Sequence, residues 1–566
     1  MSHRAGFDVP QTRRPRVHVD AERCAGCGEC VDRCPTAALW LDATGVVAAD
    51  PALCVGCRQC ERTCPFRAIR VEGPLLVEPR MAPAPLRPVR LMDDREAEEG
   101  IESLGAAVRE ALRCLHCPDP TCVLGCPAHN DIPGFIAAIC ELDLDHARSI
   151  LASSSVMPEV CSRTCDAFAL CEGACSLALA GGEAVSIRLL ERFVTDHTAA
   201  PPLPVRSTRA KRLSVAVVGS GPAGLAAAGE LMSRGAHVVV FEREPQPLGA
   251  LRWAIPAFVL PDEVADLSLE RLLEAGLELR TGIAVRGGDI PALLSIHDAV
   301  ILAHGATVPG AATVSGANLG GVETAERFLA RAKVALATNR PLEDVRAGAR
   351  VLVVGGGGTA MDVARSVRRL GGEAVVADPR DERTAASGRE KLRAALAEGV
   401  RVRYETDVVR LTGERGVVAQ AWLARRRRLG VPRPAPEAVD HVVLVTGAFV
   451  DPEPARGLLA TLPVPLESLP DAADWRWVTS GLMAGHTAAA RGRDAERILE
   501  RAALPVGAGV WAAGDALAGP GTVVEAMAQG RRAGEGVLAA MPVRTDPTGL
   551  RVLTTGKEFV AAVDED

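Results

Sequence analysis

Ser214-Val215-Ala216-Val217-Val218-Gly219-Ser220-Gly221-Pro222-Ala223-Gly224 decides the fold. A strand-like run meets three glycines at the G-x-G-x-x-G spacing, and a helical stretch follows. A second strand-like run, 237–241, ends on Glu242. Gly219 allows the tight turn, Gly221 lets a pyrophosphate approach the backbone, and Gly224 lets helix and strand pack closely. The helix N-terminus then faces the phosphates, and Glu242 accepts hydrogen bonds from ribose hydroxyls. The same order recurs over 350–378, with Val353-Val354-Gly355-Gly356-Gly357-Gly358-Thr359-Ala360-Met361-Asp362 as its turn. Two such units predict an α/β fold with two Rossmann-like dinucleotide-binding domains.

At 566 residues the chain is too long for one core, and its 48% apolar content is enough for three or four. The net charge of −7 is spread along the sequence. There is no basic stripe for nucleic acid, and the run 425–428 reads as a solvated loop or hairpin. Thr12-Arg13-Arg14 echoes a twin-arginine signal, but no apolar region follows it. No stretch of eighteen apolar residues predicts a membrane span. All 17 cysteines precede residue 176. Without an export signal the chain is expected in the reducing cytoplasm, where grouped thiols hold metal.

The thiols open with an internal repeat. Cys24-x2-Cys27-x2-Cys30-x3-Cys34-Pro35 returns thirty residues later as Cys54-x2-Cys57-x2-Cys60-x3-Cys64-Pro65. Zinc sites pair two-cysteine knuckles, without a third cysteine or a trailing Cys-Pro. Here three close thiolates wrap one face of an iron–sulfur cube and the fourth reaches across to the other cluster. Cys24, Cys27, Cys30 and Cys64 are assigned to one 4Fe–4S cluster, and Cys54, Cys57, Cys60 and Cys34 to the second. The segment resembles bacterial two-cluster ferredoxins.

Next come Cys114-x2-Cys117-x4-Cys122-x3-Cys126-Pro127 and Cys161-x3-Cys165-x5-Cys171-x3-Cys175. With Arg113, Asn130-x-Ile132-Pro133 and Leu190-Glu191-Arg192-Phe193, this pattern resembles the glutamate synthase small subunit family. That family's N-terminal domain is shared with the N-terminal half of dihydropyrimidine dehydrogenase, and the large subunit of the NADH-dependent ferredoxin:NADP oxidoreductase is similar too. The resemblance implies two more 4Fe–4S clusters. One would use Cys114, Cys117, Cys122 and Cys175. The other would use Cys126, Cys165 and Cys171 with a fourth ligand, either Glu191 or Cys161. Cys140 has no partner pattern and reads as a small apolar residue.

Far downstream, Val510-Trp511-Ala512-Ala513-Gly514-Asp515, then 519–524 and a helical stretch 525–537, resemble the C-terminal flavin motif of two-dinucleotide flavoproteins. There the aspartate contacts the ribityl–phosphate region, and the helix aims its positive end at the isoalloxazine. FAD is thus expected from two separated segments, with Gly219, Gly221, Gly224, Glu242, Arg243, Leu251, Gly514, Asp515 and Val523 at the site. The second unit would take the nicotinamide nucleotide through Gly355, Gly357, Thr359, Ala360 and Arg380. NADPH-using relatives tend to carry two adjacent arginines where this chain has Arg380 among Asp378 and Asp381, so NADH and NADPH both stay open.

The expected organisation follows from these motifs. A ferredoxin-like α+β domain with two clusters spans 1–72, a linker 73–100, and an α-helical iron–sulfur domain 101–198. A linker 199–212 leads to the first part of the FAD domain, 213–325. The NAD(P) domain covers 326–480, and 481–566 completes the FAD domain and adds a tail. The resemblance implies an oxidoreductase passing electrons between NAD(P)H, FAD and four 4Fe–4S clusters, to or from a ferredoxin or a larger oxidoreductase subunit. No nucleophile-and-base constellation for a separate substrate is visible, since hydride transfer to flavin is cofactor chemistry. A self-contained NAD(P)H:small-molecule reductase and a redox-responsive scaffold without turnover are the alternatives.

Overall fold

The computed structural model describes residues 14–80, 86–98, 100–203, 213–310, 314–384, 387–426, 433–451, 453–455 and, apart from 501, 504 and 507, residues 502–541. Thr12, Arg13, Arg427 and Arg428, most of the expected linker 199–212, residues 456–500 and the tail from 542 lie outside them.

Two five-stranded parallel sheets carry the C-terminal two-thirds. The first runs Val510–Ala512, Ala299–Leu302, Ser214–Val218, His237–Glu242, Glu278–Thr281. The second runs Val322–Thr324, His441–Leu444, Arg350–Val354, Glu373–Ala377, Arg401–Arg403. Inner parallel strands must be covered on both faces, which is why Ser214–Val218, Ala299–Leu302, Arg350–Val354 and His441–Leu444 read as mostly apolar runs. Val215, Val217, Val238 and Val240 pack into one core, while Ala216, Val218, Val239 and Phe241 face another. The two units also repeat in register. Arg350–Val354 lies 136 positions after Ser214–Val218, and the helix Gly358–Arg369 lies 136 after Pro222–Ser233. An antiparallel sheet of Thr406–Glu414, Val417–Arg425 and Ala435–Ala438 is attached to the second unit.

The last described helix, Val523–Ala540, starts where Thr522 and Glu525 cap each other, with the Thr522 hydroxyl 2.8 Å from the Glu525 carboxylate and the Glu525 N–H 3.3 Å from that hydroxyl. It lies against Pro222–Ser233 at a separation only small residues allow. A Cβ on Gly530 would collide with the Ala223 carbonyl oxygen, and one on Gly534 would sit 3.2 Å from that of Ala227. The strand Val510–Ala512 and this helix thereby rejoin a unit begun three hundred residues earlier.

The N-terminal head pairs Arg16–Val19 with Ile69–Glu72 and Leu39–Leu41 with Val47–Ala49, both antiparallel. Between it and the sheets stands a helical layer whose core includes Phe135, Ile136, Ile139, Leu151, Leu190 and Phe193. Composition at 73–89 reads as a tether, yet its described residues are strapped down. Leu75 and Val77 pack on the helical core. Arg80 reaches the Ser186 hydroxyl and the Glu172 carboxylate, each at 2.8 Å. The head itself is clasped: Arg33 pairs with Asp119 at 2.6 Å, and Gln59 donates to the Asp119 carbonyl and accepts from the Ser176 hydroxyl. No described helix is long and apolar enough to cross a membrane.

Candidate functional site

The thirty-residue repeat positions the head thiols in matching ways. Gly26 and Gly56 both hold positive φ, 65° and 75°, and a side chain on either would strike a backbone carbonyl. The Ala38 N–H points at the Cys34 sulfur and the Ala68 N–H at the Cys64 sulfur, both at 3.3 Å. Burial pushes the Cys30 thiol up, and the charges of Cys64, Cys27 and Cys24 add to it. Burial likewise pushes Cys60 up to about 12, with Cys57, Cys54 and Cys34 contributing. Cys64 thus lies beside Cys24, Cys27 and Cys30, and Cys34 beside Cys54, Cys57 and Cys60.

In the helical layer, burial raises Cys114 to about 12, and Cys117 and Cys175 push the same way. Cys122 rises further, through burial first and then Cys175, Cys114 and Cys117. A last set gathers beside the first sheet's unit, where Cys126 and Cys165 pack on the core below the helix Pro222–Ser233. Burial lifts Cys126 to about 12, with Glu191 and Cys161 adding to it. Cys165 is raised first by its hydrogen bond to Cys161 and then by burial, and Glu191 bears on Cys126, Cys165 and Cys171. Burial raises the Glu191 carboxyl to about 8. The Cys161 thiol also lies 3.8 Å from the Met527 sulfur on the helix Val523–Ala540.

The four sets stand in sequence. Cys171 feels Cys122 of the neighbouring set, and Cys117 feels Cys57 of the head. Thiols crowded and buried this way resist ionisation one by one; a cationic group shared among them removes that penalty. Thiolate-rich donor sets of this kind suit iron–sulfur clusters.

In the first sheet's unit, Gly219 turns with φ 106°, and a Cβ on Gly221 would meet nothing within 4 Å, leaving the backbone open to a phosphate. The buried Glu242 carboxylate accepts from the Ser220 N–H at 3.0 Å, the Ser220 hydroxyl at 2.6 Å and the Glu244 N–H at 2.9 Å. Gly514, at φ 66°, packs against Ala223 and brings Asp515 beside this turn. Burial raises the Asp515 carboxyl to about 7, against the pull of the Gly521 N–H at 3.2 Å. Val523 opens the last helix. Arg243 lies alongside, half-exposed and paired with Glu244, while Leu251 is fully buried in the core. An open glycine turn, a buried carboxylate at the end of the second strand and a separate helix N-terminus fit FAD.

The second unit repeats the device. Gly355 has φ 122°, and a Cβ on Gly357 would again meet nothing within 4 Å. Thr359 and Ala360 lie in the first turn of the helix behind it. Arg380 does not project freely; its guanidinium is held by Asp378 at 2.9 and 3.2 Å.

Known proteins match over most of the chain. Residues 90–201 match the dihydropyrimidine dehydrogenase domain II 4Fe–4S family, and 213–462 match the pyridine nucleotide-disulphide oxidoreductases. Residues 17–40 and 46–69 each match a 4Fe–4S binding domain. The glutamate synthase (NADPH) small chain of Halomonas elongata is 32% identical over 465 residues, covering 77% of this chain and 91% of that protein. The chain belongs to the glutamate synthase small-chain family. The corresponding small chain of Escherichia coli is 34% identical over 339 residues, 58% of this chain and 70% of that one. The NAD-dependent dihydropyrimidine dehydrogenase subunit PreT of Salmonella typhimurium is 33% identical over 278 residues, 49% of this chain and 65% of that subunit. This member is an electron-transferring oxidoreductase built for FAD, NAD(P)H and 4Fe–4S clusters.

Sequence reasoning missed Ser220, which fixes the Glu242 carboxylate, and Met527, which brings the last helix to Cys161. Nothing in a linear pattern marks either. It also left Asp378 as a mere repulsive neighbour, although the 136-residue spacing carries Glu242 onto it.

Proposed function

We propose that this protein takes electrons from NAD(P)H at its flavin unit and delivers them through four clusters to a partner protein at its N-terminal head. FAD, when bound, would supply two-electron acceptance of a hydride and stepwise release of its electrons, the proton passing to solvent, and 4Fe–4S clusters would take those electrons singly. The chain's own part is to hold and space these groups. Cys126, Cys165, Cys171 and Glu191 form the innermost ligand set, with Cys161, hydrogen-bonded to Cys165, as the rival to Glu191 for the fourth place. Cys114, Cys117, Cys122 and Cys175 form the next. Cys54, Cys57, Cys60 and Cys34 follow, and Cys24, Cys27, Cys30 and Cys64 are outermost. The carrying observation is that Cys126 and Cys165 pack on the core of the flavin unit, while Cys117 meets the Ser176 hydroxyl at 3.4 Å and Ser176 meets Gln59 of the head, next to Cys60, at 3.3 Å. Cys27 is exposed, as an exit toward a larger subunit or a ferredoxin requires.

The test leaves the head in place, because it is clasped to the helical layer. In the full chain, Cys27→Ser with Cys30→Ser removes two ligands of the outermost set. Reduction of a dye by NAD(P)H should stay within about twofold, since dyes collect electrons at the flavin. Reduction of a soluble ferredoxin should fall at least tenfold. Equal loss of both activities, or of neither, would refute the head as outlet.

A further inference from the structure

The two glycine-turn units superpose in numbering, and that register assigns a role to a residue the motif leaves unnamed. Gly355 lies 136 positions after Gly219, Gly357 after Gly221 and Asp378 after Glu242. The equivalence is spatial as well. Glu242 contacts Ser220, the second residue of the first turn, at 3.0 Å from its N–H. Asp378 presses so closely on Gly356, the second residue of the second turn, that a Cβ there would overlap its carboxylate. Both carboxylates are buried, at 7% and 1% exposure, and each stands where a strand end meets an open glycine turn. A carboxylate at this place accepts from the two hydroxyls of an adenosine ribose. FAD has both hydroxyls free, and Glu242 suits it.

We infer that Asp378 makes the second unit selective for NADH over NADPH, by accepting from the ribose hydroxyls and repelling a 2′-phosphate. This rests on the reading of 350–378 as the nicotinamide-nucleotide site. Three of the surrounding cations are already engaged. Arg380, the residue placed to meet a 2′-phosphate, has its backbone N–H and guanidinium on Asp378 itself. The Arg389 guanidinium lies 4.0 Å from the Phe168 ring centroid. Lys391 is bonded to Asp362 at 2.5 Å. Arg383 is at the surface beside Asp381, a second carboxylate on the same loop. A 2′-phosphate carries nearly two negative charges and would enter beside a buried carboxylate whose one close partner cannot leave without exposing it. The relatives named for NADPH and for NAD bracket this choice, and the local charges select the second.

Calorimetric titration of the holoenzyme, with FAD in place, reads the site without turnover. ADP-ribose and 2′-phospho-ADP-ribose differ only in the phosphate. ADP-ribose should bind tighter by on the order of a hundredfold, the scale of a like-charge encounter at a desolvated site. Asp378→Asn keeps the shape and removes the charge, and it should narrow that ratio at least tenfold. Asp378→Ala with Asp381→Ala should narrow it further, and dye reduction should shift from NADH toward NADPH in step. Tighter binding of the phosphorylated ligand by the native protein, an unchanged ratio in Asp378→Asn, or binding of neither ligand would overturn the inference. Tight ADP-ribose binding without dye reduction would uphold it while sinking electron entry at the flavin.

Discussion

Replacing Gly530 by alanine tests the packing that completes the flavin unit. The added Cβ would run into the carbonyl oxygen of Ala223, in the first turn of the helix behind the Gly219–Gly221 turn. A backbone oxygen cannot rotate aside, so the helix Val523–Ala540 must retreat and carry Val523 and Thr522 with it. Overpacking costs roughly 1–3 kcal/mol, and a backbone clash belongs at the upper end. Alanine recovers about 1 kcal/mol of helix propensity, leaving a net cost of about 2 kcal/mol. If that cost falls on the flavin-bound arrangement, FAD affinity weakens by about 30-fold. Gly534→Ala is the internal control, since its Cβ would sit 3.2 Å from the Ala227 oxygen and 3.3 Å from the Glu230 Cβ. There a shift of a few tenths of an ångström suffices, and the propensity gain cancels the strain. Titrating deflavinated protein with FAD by fluorescence quenching, with melting curves alongside, measures both. An FAD affinity for Gly530→Ala within threefold of native, or equal weakening in the two variants, would refute the reasoning.

Four clusters imply about sixteen irons per chain with one FAD, so iron, zinc and flavin assays on anaerobically purified protein should return those ratios. Zinc-loaded or flavin-free protein would contradict the cofactor assignment. Glu191→Cys should keep the innermost cluster with a shifted potential, Glu191→Ala should lose it or leave it labile, and Cys161→Ala should retain all iron. Electron paramagnetic resonance of the reduced protein separates these outcomes, and iron loss in Cys161→Ala alone would reverse the ligand choice.

Legibility in the sequence followed the range of the physics involved. Glycine turns and cysteine repeats are local demands: Gly219 must reach φ 106°, and Gly26 must turn against a carbonyl, so their spacing is written in order. The neighbourhood of Cys64 with Cys24, Cys27 and Cys30, and of Cys34 with Cys54, Cys57 and Cys60, follows from the same local repeat. What escaped depends on residues far apart in the chain. Composition marked 73–89 as a spacer, but Leu75, Val77 and Arg80 find partners that only the fold provides. Gln59 gave no sign of bridging to Asp119 and Ser176, because a single polar residue on a short helix carries no period. Arg380 looked available because its sequence neighbours show charge without geometry; the structure turns it back onto Asp378.

The strand Val510–Ala512 pairs with Ala299–Leu302 across the whole nicotinamide unit. During synthesis the flavin unit therefore waits. At roughly 5–20 residues per second, about 10–40 s separate the emergence of the two partner strands. Through that interval one edge of the first sheet stands unpaired, and the helix Pro222–Ser233 lacks the glycine-lined surface that covers it. The nicotinamide unit, a continuous segment, can fold in the meantime and hold the two halves of its neighbour close. Completion of the flavin site thus becomes the closing event of biogenesis, and a ribosome that stops short of residue 510 releases a chain with no means of gathering hydride into its relay.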